Sequence, residues 1–246
     1  MNDWDQTFLP MVRAIWTGQN PYDLVYVNPP WLFLPLAPFF WVPWWLAMAF
    51  TPLVLIWASV KARKPYLLAI VGTSFPFIAL TVYANIDWVS WIGIVMGGSV
   101  GAVLNSAKPQ VGVFSILADL KNAETWRKRA ILLAPAAVIA IVSTLIYPEW
   151  INAMFGQLDI GPERNATLFP WLLPLGGYAL WRTWRDGDRL WGVGATLCIA
   201  PYYYMASVTP FLFLVAERNW KWGVALNILS WIFVVLVVLE VIPVTL

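Results

Sequence analysis

The chain has 246 residues, of which 61% are hydrophobic and only 11% are charged. A soluble domain carries about 25% charged residues, so this composition excludes a surface that faces water over most of its area. The net charge of +2 is too small to suggest nucleic acid as a partner, and the absence of His removes the most common general base and metal ligand. The composition predicts an all-α, polytopic membrane protein with no separate soluble domain and no metal site.

The first 30 residues are the least apolar part of the chain, and we treat them as an N-terminal arm that precedes a single transmembrane domain, residues 31–246. Polar and apolar residues alternate at helical spacing from Thr7 to Thr17, which predicts an amphipathic helix on the outer membrane surface. One interpretation is an arm that only packs on the helical bundle. The other is that Asp3 and Asp5 lie at the outer membrane edge, where a carboxylate can act as a general base towards a hydroxyl.

Several apolar runs approach the length of about 20 residues that a helix needs to cross a hydrocarbon core of about 30 Å. The run at 88–104 is rich in Gly, which allows a neighbouring backbone to approach closely. The run at 190–216 contains Pro201 and Pro210, and it forms either one long broken span or two short ones. We predict about seven to eight membrane segments, some short or broken, from the runs at 43–60, 66–83, 88–104, 111–120, 131–147, 168–181, 190–216 and 224–244.

Ten of the 15 Lys and Arg residues fall in three short loops between these runs. The positive-inside rule places these loops in the cytoplasm and residues 1–30 outside, so we expect a multi-pass protein of a prokaryotic plasma membrane. The side of the membrane that Arg218 and Lys221 occupy stays open, because the number of spans after Arg189 is ambiguous. The three basic loops contain Lys61, Arg63 and Lys64; Lys121, Arg127, Lys128 and Arg129; and Arg182, Arg185 and Arg189.

The arm and the apolar segment after it carry a family resemblance. Residues 3–23 read DWDQTFLPMVRAIWTGQNPYD, and residues 28–43 read NPPWLFLPLAPFFWVP. An acidic residue, a short amphipathic helix, Gly-x-x-Pro-Tyr and a Pro-Pro pair before an apolar segment resemble the first extracytoplasmic loop of the GT-C glycosyltransferases. The pattern is most similar to that of glycosyltransferase family 87, the polyprenol-phosphate-mannose-dependent type. The Gly-rich segment before Lys108 and the aromatic stretch at 200–204 resemble two later elements of that family.

The resemblance implies a GT-C-like helical bundle that transfers a sugar from a polyprenyl-phosphate carrier to an extracytoplasmic acceptor, with inversion at the anomeric carbon. It also implies that an Asp in this loop accepts the proton of the acceptor hydroxyl, and both Asp3 and Asp5 fit that position. The donor is then a polyprenyl-phosphate-sugar, and the enzyme is a hexosyltransferase similar to mannosyltransferases. Because the family has a transmembrane helix before this loop, we expect that the chain lacks this helix and is a shortened or degenerate member.

Nine further residues form the predicted substrate-binding and donor-binding set. Two Arg residues of the set are the cations expected on the outer side, where a donor phosphate needs charge-assisted hydrogen bonds. Lys108 is either a buried functional residue or one whose amine reaches the cytoplasmic interface. Asn85 and Asp87 either cap a helix or bind a sugar, and the two Tyr residues belong either to an interfacial aromatic belt or to a lipid-phosphate site. The set consists of Arg13, Asn28, Asn85, Asp87, Lys108, Gln110, Arg164, Tyr202 and Tyr203.

A second hypothesis is that the chain is a non-catalytic subunit of a larger membrane complex, because it contains no His and 18 Trp residues. Its partners are then membrane lipids and other membrane subunits, and nucleic acid is not among them. A transporter is a weaker alternative, since the sequence shows no two-fold internal repeat with paired broken helices. Sugar transfer that depends on Asp3 or Asp5 favours the enzyme, whereas co-purification in a fixed ratio with other chains favours the subunit.

Overall fold

The computed structural model describes residues 3–23, 28–156, 166–167 and 169–239. Within these ranges every regular element is helical and none is a strand, which confirms the predicted all-α class. The physical reason is that a helix satisfies its own backbone N–H and C=O groups, whereas an open strand leaves them unpaired in an apolar solvent. The end of the last predicted apolar run, from residue 240 onwards, lies outside the described residues.

The N-terminal arm packs on the bundle through two short helical elements. A π-helix at Trp4–Phe8 leads into α1 (Leu9–Trp16), which buries one apolar face and exposes the other. Trp4 is fully buried, and its indole Nε1 donates a hydrogen bond to the carbonyl of Val42 at 2.8 Å. Near the other end of the arm, Trp16 donates in the same way to the carbonyl of Ala37 at 2.9 Å. Two buried or interfacial indoles therefore fix the arm against the segment that follows it.

The first apolar region contains five helices. The predicted run at 66–83 is not one straight helix. Ser74 accepts a hydrogen bond from the Phe77 N–H at 3.4 Å, and Pro76 lies in the first turn of the helix that begins after Ser74. A cap and a Pro together end one helix and begin the next, so the predicted run at 66–83 is bent in the middle. The helices are α2 (Phe33–Leu36), α3 (Trp44–Ala47), α4 (Phe50–Ala62), α5 (Tyr66–Gly72) and α6 (Phe75–Val82).

The run at 88–104, predicted as one span, is instead a hairpin of two helices, α7 (Asp87–Met96) and α8 (Gly98–Ala107). Gly97 joins them with φ 66° and ψ −165°, a conformation that is essentially restricted to Gly. The helices then pack closely, because a Cβ at Gly101 would lie 2.7 Å from the carbonyl oxygen of Gly93. Each helix has 10 residues and therefore extends about 15 Å, about half of a hydrocarbon core.

The remaining helices complete the bundle around this hairpin, with α8 packed on α11, and α13 packed on α14. They are α9 (Pro109–Gly112), α10 (Ser115–Asn122), α11 (Trp126–Ile146), α12 (Trp150–Gly156), α13 (Leu173–Asp186), α14 (Arg189–Ile199), α15 (Thr209–Arg218) and α16 (Trp220–Val238). Among the described residues, three helical segments are long and apolar enough to cross a membrane: Trp44–Ala62, Trp126–Ile146 and Trp220–Val238. A membrane protein is thus supported, and the count of seven to eight segments stays a prediction.

The basic loops meet at one end of the bundle, which we call the basic end. Lys61 of α4 donates from Nζ to the carbonyl of Val95 in α7 at 3.2 Å. In the same way, Asn122 of α10 donates to the carbonyl of Gly187, between α13 and α14, at 2.9 Å. Arg218 also lies at this end, because it forms an ion pair with Asp188, the residue that caps α14. The contact decides the position of Arg218 relative to the basic loops, which the sequence left open.

Indole rings accompany the cations at the basic end. The charged group of Arg129 lies 5.0 Å from the ring centroid of Trp126, and that of Arg185 lies 4.4 Å from the ring of Trp181. Trp126 and Trp181 are both exposed. Exposed cation–indole pairs are typical of the region where lipid headgroups meet the hydrocarbon core, because the ring is apolar and the cation stays hydrated.

Candidate functional site

Lys108 and Asp87 form a buried ion pair at the other end of the α7–α8 hairpin. Their side chains are 4% and 0% exposed. The pair exists because the turn at Gly97 returns the chain, so that Lys108 at the end of α8 lies beside Asp87 at the start of α7. The interpretation that the Lys108 amine reaches the cytoplasmic interface is therefore wrong. It assumed a helix that runs straight through the membrane, whereas the hairpin directs Lys108 away from the basic end.

The ends of the two helices favour this arrangement of charges. Asp87 lies in the first turn of α7, and Lys108 caps the last turn of α8. An anion at a helix N-terminus and a cation at a C-terminus both interact favourably with the helix dipole. Ser90 then joins the two helices, because its hydroxyl donates to the carbonyls of Leu104 and Lys108, both at 3.3 Å.

Asn85 connects this ion pair to the N-terminal arm. Its Oδ1 accepts a hydrogen bond from Nζ of Lys108 at 2.6 Å and one from the backbone N–H of Asp87 at 3.1 Å. Its Nδ2 donates to Oδ2 of Asp3 at 2.7 Å. The backbone N–H of Asp3 in turn donates to the carbonyl of Tyr83 at 2.9 Å. Asn85 thus bridges Lys108 to Asp3, and it precedes the residue at the N-cap of α7, Ile86, whose side chain makes no capping hydrogen bond.

The geometry distinguishes the two carboxylates that the sequence could not separate. Asp3 is half-buried and hydrogen-bonded to Asn85, whereas Asp5 is exposed. Trp4, which lies between them, is fully buried and fixes the backbone at this point. A carboxylate held in one orientation next to a buried polar group is preorganised to accept a proton from a bound hydroxyl.

Ser207 also belongs to this group, although the sequence did not single it out. Its hydroxyl donates to Oδ2 of Asp87 at 2.5 Å, and it lies in a short 3-10 helix at Met205–Val208 that packs on α6. The available signal was two polar residues, Ser207 and Thr209, in a segment that is otherwise aromatic or apolar from Tyr202 onwards. We call Asp3, Asn85, Asp87, Lys108 and Ser207 together the Asp3 cluster.

The Asp3 cluster is shielded by the arm. The ring of Phe8, itself buried, lies 5.7 Å from Nζ of Lys108. Burial in an apolar environment strengthens each charge interaction and raises the free-energy penalty of any charge left without a partner. Asp87 therefore needs Lys108 and Ser207, and Lys108 needs Asp87 and Asn85. Hydrogen bonds and the Lys108–Asp87 ion pair together connect the cluster from Asp3 to Ser207.

The other predicted binding residues lie in different surroundings. Arg13 is exposed on α1 and donates from Nε to the carbonyl of Phe40 at 3.3 Å. Asn28 is buried, and its carbonyl accepts a hydrogen bond from the hydroxyl of Tyr22 at 2.9 Å. Gln110 is half-buried in α9, two residues after Lys108. Arg164 lies outside the described residues.

The two predicted Tyr residues lie on the segment that leads to Ser207. Tyr203 is buried, and its carbonyl accepts a hydrogen bond from the N–H of Ala166 at 2.9 Å. The ring of Tyr202 packs edge-on against that of Tyr204, with centroids 5.2 Å apart. Ser207 is four residues beyond Tyr203 in the chain, whereas Arg13 donates to a backbone carbonyl of the segment after the arm.

A second polar group lies at the basic end, in an open cleft of about 480 Å³. Its cations are paired within the chain, since Arg182 binds Asp186 and Arg218 binds Asp188. Hydrogen bonds from Arg185 and Arg182 lower the pKa of Asp186 to about 2. Because each cation already has an acidic partner, this cleft is less suited to a phosphate than a group of unpaired Arg residues. It is lined by Asn122, Arg182, Asp186, Gly187, Asp188, Arg189, Trp191 and Arg218.

Comparisons with known proteins do not assign the chain to a family. No protein-family model, no curated protein and no solved structure matches this chain. The Asp3 cluster and the resemblance of residues 3–43 are therefore the two observations from which a function can be argued.

Proposed function

We propose that this protein is a GT-C-like glycosyltransferase that transfers a sugar from a polyprenyl-phosphate carrier to an extracytoplasmic acceptor, with Asp3 as the general base. The observation that carries the proposal is the hydrogen bond of 2.7 Å between Asn85 and the carboxylate of Asp3. This bond fixes the one acidic residue that the family resemblance requires, in an arm whose neighbouring Trp4 is fully buried. Asp5, which is exposed, serves as the matched residue without this role.

The chemistry needs an ionised carboxylate and an acceptor hydroxyl. The hydroxyl oxygen attacks the anomeric carbon, and the bond from that carbon to the phosphate oxygen of the donor breaks on the opposite face. Polyprenyl phosphate leaves with the electron pair of that bond, and Asp3 takes the proton of the hydroxyl. General-base assistance of this kind accelerates a reaction by about 100-fold to 10,000-fold.

The orientation of the chain in the membrane determines which residues can contact the donor and the acceptor. In the proposed orientation the basic end lies in the cytoplasm, as the positive-inside rule predicts, and the Asp3 cluster, at the opposite end of the hairpin about 15 Å away, faces the outer side. In this scheme Arg13, which is exposed, and Arg164 bind the donor phosphate, because a guanidinium forms paired bonds with phosphate oxygens. Asn28, Gln110, Tyr202 and Tyr203 complete the donor and acceptor site in the same scheme.

The test compares the wild type with Asp3→Asn and Asp5→Asn. Each purified protein is placed in proteoliposomes with radiolabelled polyprenyl-phosphate-mannose and a lipid extract as the acceptor source, and the released polyprenyl phosphate is measured. We expect Asp3→Asn to lose at least about 100-fold in rate, the lower limit for a general base, and Asp5→Asn to stay within about two-fold. The Asn side chain keeps an oxygen that accepts from Asn85, so the arm stays in place.

Equal rates for the wild type and Asp3→Asn would contradict the role of Asp3. A wild type that neither releases polyprenyl phosphate nor binds the donor favours the second candidate, a structural subunit. One observation supports that candidate: only 6% of the apolar window of α11, Trp126–Ile146, is buried within the chain. Its exposed face is available to lipid or to a partner helix, and a fixed ratio with other chains in mild detergent is the corresponding result.

A further inference from the structure

We infer that Asn85 is the positioning residue of this site, and that the Lys108–Asp87 pair acts through Asn85 to keep the Asp3 carboxylate ionised and oriented. The inference rests on the proposed role of Asp3 as the base. It assigns Asn85 and Lys108 to the control of that base, in place of the substrate contacts that the sequence predicted for them. The supporting geometry is that the side-chain amide of Asn85 lies between the ammonium group of Lys108 and the carboxylate of Asp3.

The orientation of the Asn85 amide is fixed by the chemistry of its neighbours. An ammonium group has three donors and no acceptor, so only the amide oxygen can face Lys108, at 2.6 Å. The backbone N–H of Asp87 donates to the same oxygen at 3.1 Å. The amide nitrogen is therefore directed to the other side, where Oδ2 of Asp3 accepts its hydrogen bond at 2.7 Å. Lys108 thus decides which end of Asn85 faces the base.

The electrostatic effect has a definite sign. A hydrogen bond donated to a carboxylate stabilises its ionised form, and a cation bound to the far end of the amide polarises that bond further. Lys108 is in turn balanced by Asp87, which accepts from Ser207. The cluster can therefore hold Asp3 ionised without leaving a buried charge unpaired.

The described elements that contact the start of the arm carry different charged groups. On the arm itself, Asp5 and Arg13 are both exposed, so water screens their charges. The short helix α3, which packs against the first turn of the arm, contains no ionisable side chain. On the hairpin side, the charged residues are Lys108 and Asp87, with Asn85 between them and Asp3.

Asn85→Asp is the sharpest test because it replaces only the NH2 group of the amide with an oxygen and keeps the side-chain volume nearly unchanged. The new carboxylate still accepts from Lys108 and from the Asp87 N–H, but it places an oxygen, and no donor, opposite Oδ2 of Asp3. Two carboxylates that share one site cannot both ionise easily, so one of their pKa values rises strongly. We expect the acidic limb of the kcat/KM profile to move up by at least about one pH unit, a ten-fold loss of activity on that limb that is recovered at higher pH.

A second readout does not depend on turnover. In protein labelled with carbon-13 at the Asp carboxyl groups, the Asp3 resonance is identified by its loss in Asp3→Asn, and its titration is followed in wild type and Asn85→Asp. The apparent pKa of Asp3 should rise in Asn85→Asp. If the wild type transfers no sugar but this rise occurs, the proposed function fails and the control of Asp3 by Asn85 stands.

Two further variants control for folding. Asn85→Ala removes the donor without adding a charge, so it should shift the same limb upwards by less than Asn85→Asp. Lys121→Met removes an exposed cation at the basic end, outside the Asp3 cluster, and should leave the pH profile unchanged. A wild-type pH profile and a wild-type Asp3 titration in both Asn85 variants would overturn the inference, and so would an equal shift in Lys121→Met.

Discussion

Each end of the α7–α8 hairpin lies beside an Asp that is paired with a cation, but the surroundings of the two pairs differ. At the end opposite the Gly97 turn, the side chains of Lys108 and Asp87 are 4% and 0% exposed. At the turn, those of Arg189 and Asp119 are 33% and 9% exposed, and Arg189 lines the cleft at the basic end. One end of the hairpin therefore lies beside a buried ion pair, which we call the sealed pair, and the other end lies beside a partly exposed ion pair.

The difference teaches what each pair does. At the turn, Asp119 accepts from the N–H of Gly98 at 2.9 Å, and Arg189 donates to the carbonyl of Ile94 at 3.2 Å. These contacts satisfy backbone groups that the helix ends leave unpaired, so the turn pair is structural. At the sealed end the bonds extend to Asp3, and the low dielectric strengthens the effect of Lys108 on this carboxylate, the proposed base. Exposure therefore separates a pair that holds a turn from one that can tune chemistry.

The largest expected effect comes from Lys108→Met, which breaks the sealed pair. Removing one partner leaves Asp87 buried and charged without its cation, which destabilises a protein by about 3–5 kcal/mol. The free energy of unfolding, measured by denaturant titration in detergent micelles, should fall by that amount. Lys121→Met is the matched control at the basic end, where Lys121 is exposed and lies 5.9 Å from the ring of Trp184. We expect a loss of at most about 1 kcal/mol there.

A double variant refines this result. Asp87→Asn combined with Lys108→Met leaves no unpaired charge in the bundle, so it should recover most of the lost stability. A double variant as unstable as Lys108→Met alone would mean that the shape of the lysine side chain, and not its charge, maintains the site.

A smaller effect is expected from Gly97→Ala at the turn. The positive φ of Gly97 strains any residue with a Cβ by about 1–3 kcal/mol, and the new Cβ would lie 1.7 Å from Nη2 of Arg189. The midpoint of thermal unfolding should fall, because the new Cβ displaces Arg189 and weakens its ion pair with Asp119. Gly177→Ala is the control, because no atom lies within 4 Å of a Cβ there. That helix should become more stable, by up to about 1 kcal/mol; equal effects at both positions would contradict the strained turn.

The smallest effect is expected at Asp186, in the exposed cleft. Its pKa in the folded protein is about 2, below the ordinary value of 3.8, because Arg185 and Arg182 donate hydrogen bonds to the carboxylate. A lowered pKa means that these bonds stabilise the fold above pH 3.8, and that the stabilisation is lost as the pH falls through about 2. The unfolding midpoint measured across this range should show a slight decrease, which Asp186→Asn removes. An identical pH dependence in Asp186→Asn would assign the decrease to other carboxylates.

Part of the candidate site could be predicted from the sequence. Asp3, Asn85, Asp87 and Lys108 were all selected, because charged and amide side chains are expensive in an apolar segment and are retained there for a reason. What the sequence could not show was that they touch one another. Asn85 is 82 positions from Asp3, and their contact depends on the arm folding back over the hairpin. Ser207 was not predicted, since its only signal was that it and Thr209 are polar in an apolar run, and hydroxyl side chains are common in such runs.

The sequence by itself predicted a membrane environment, a helical fold and the grouping of the basic loops, because each depends on local composition and on charges near helix ends. It did not determine that residues 88–104 form a hairpin, because one Gly at a positive φ reverses a segment whose hydropathy is the same in either case. The tertiary structure also distinguishes the burial of Asp3 from that of Asp5. Both are acidic and two residues apart, but Asp3 is half-buried and bonded to Asn85, whereas Asp5, on the other side of the buried Trp4, is exposed.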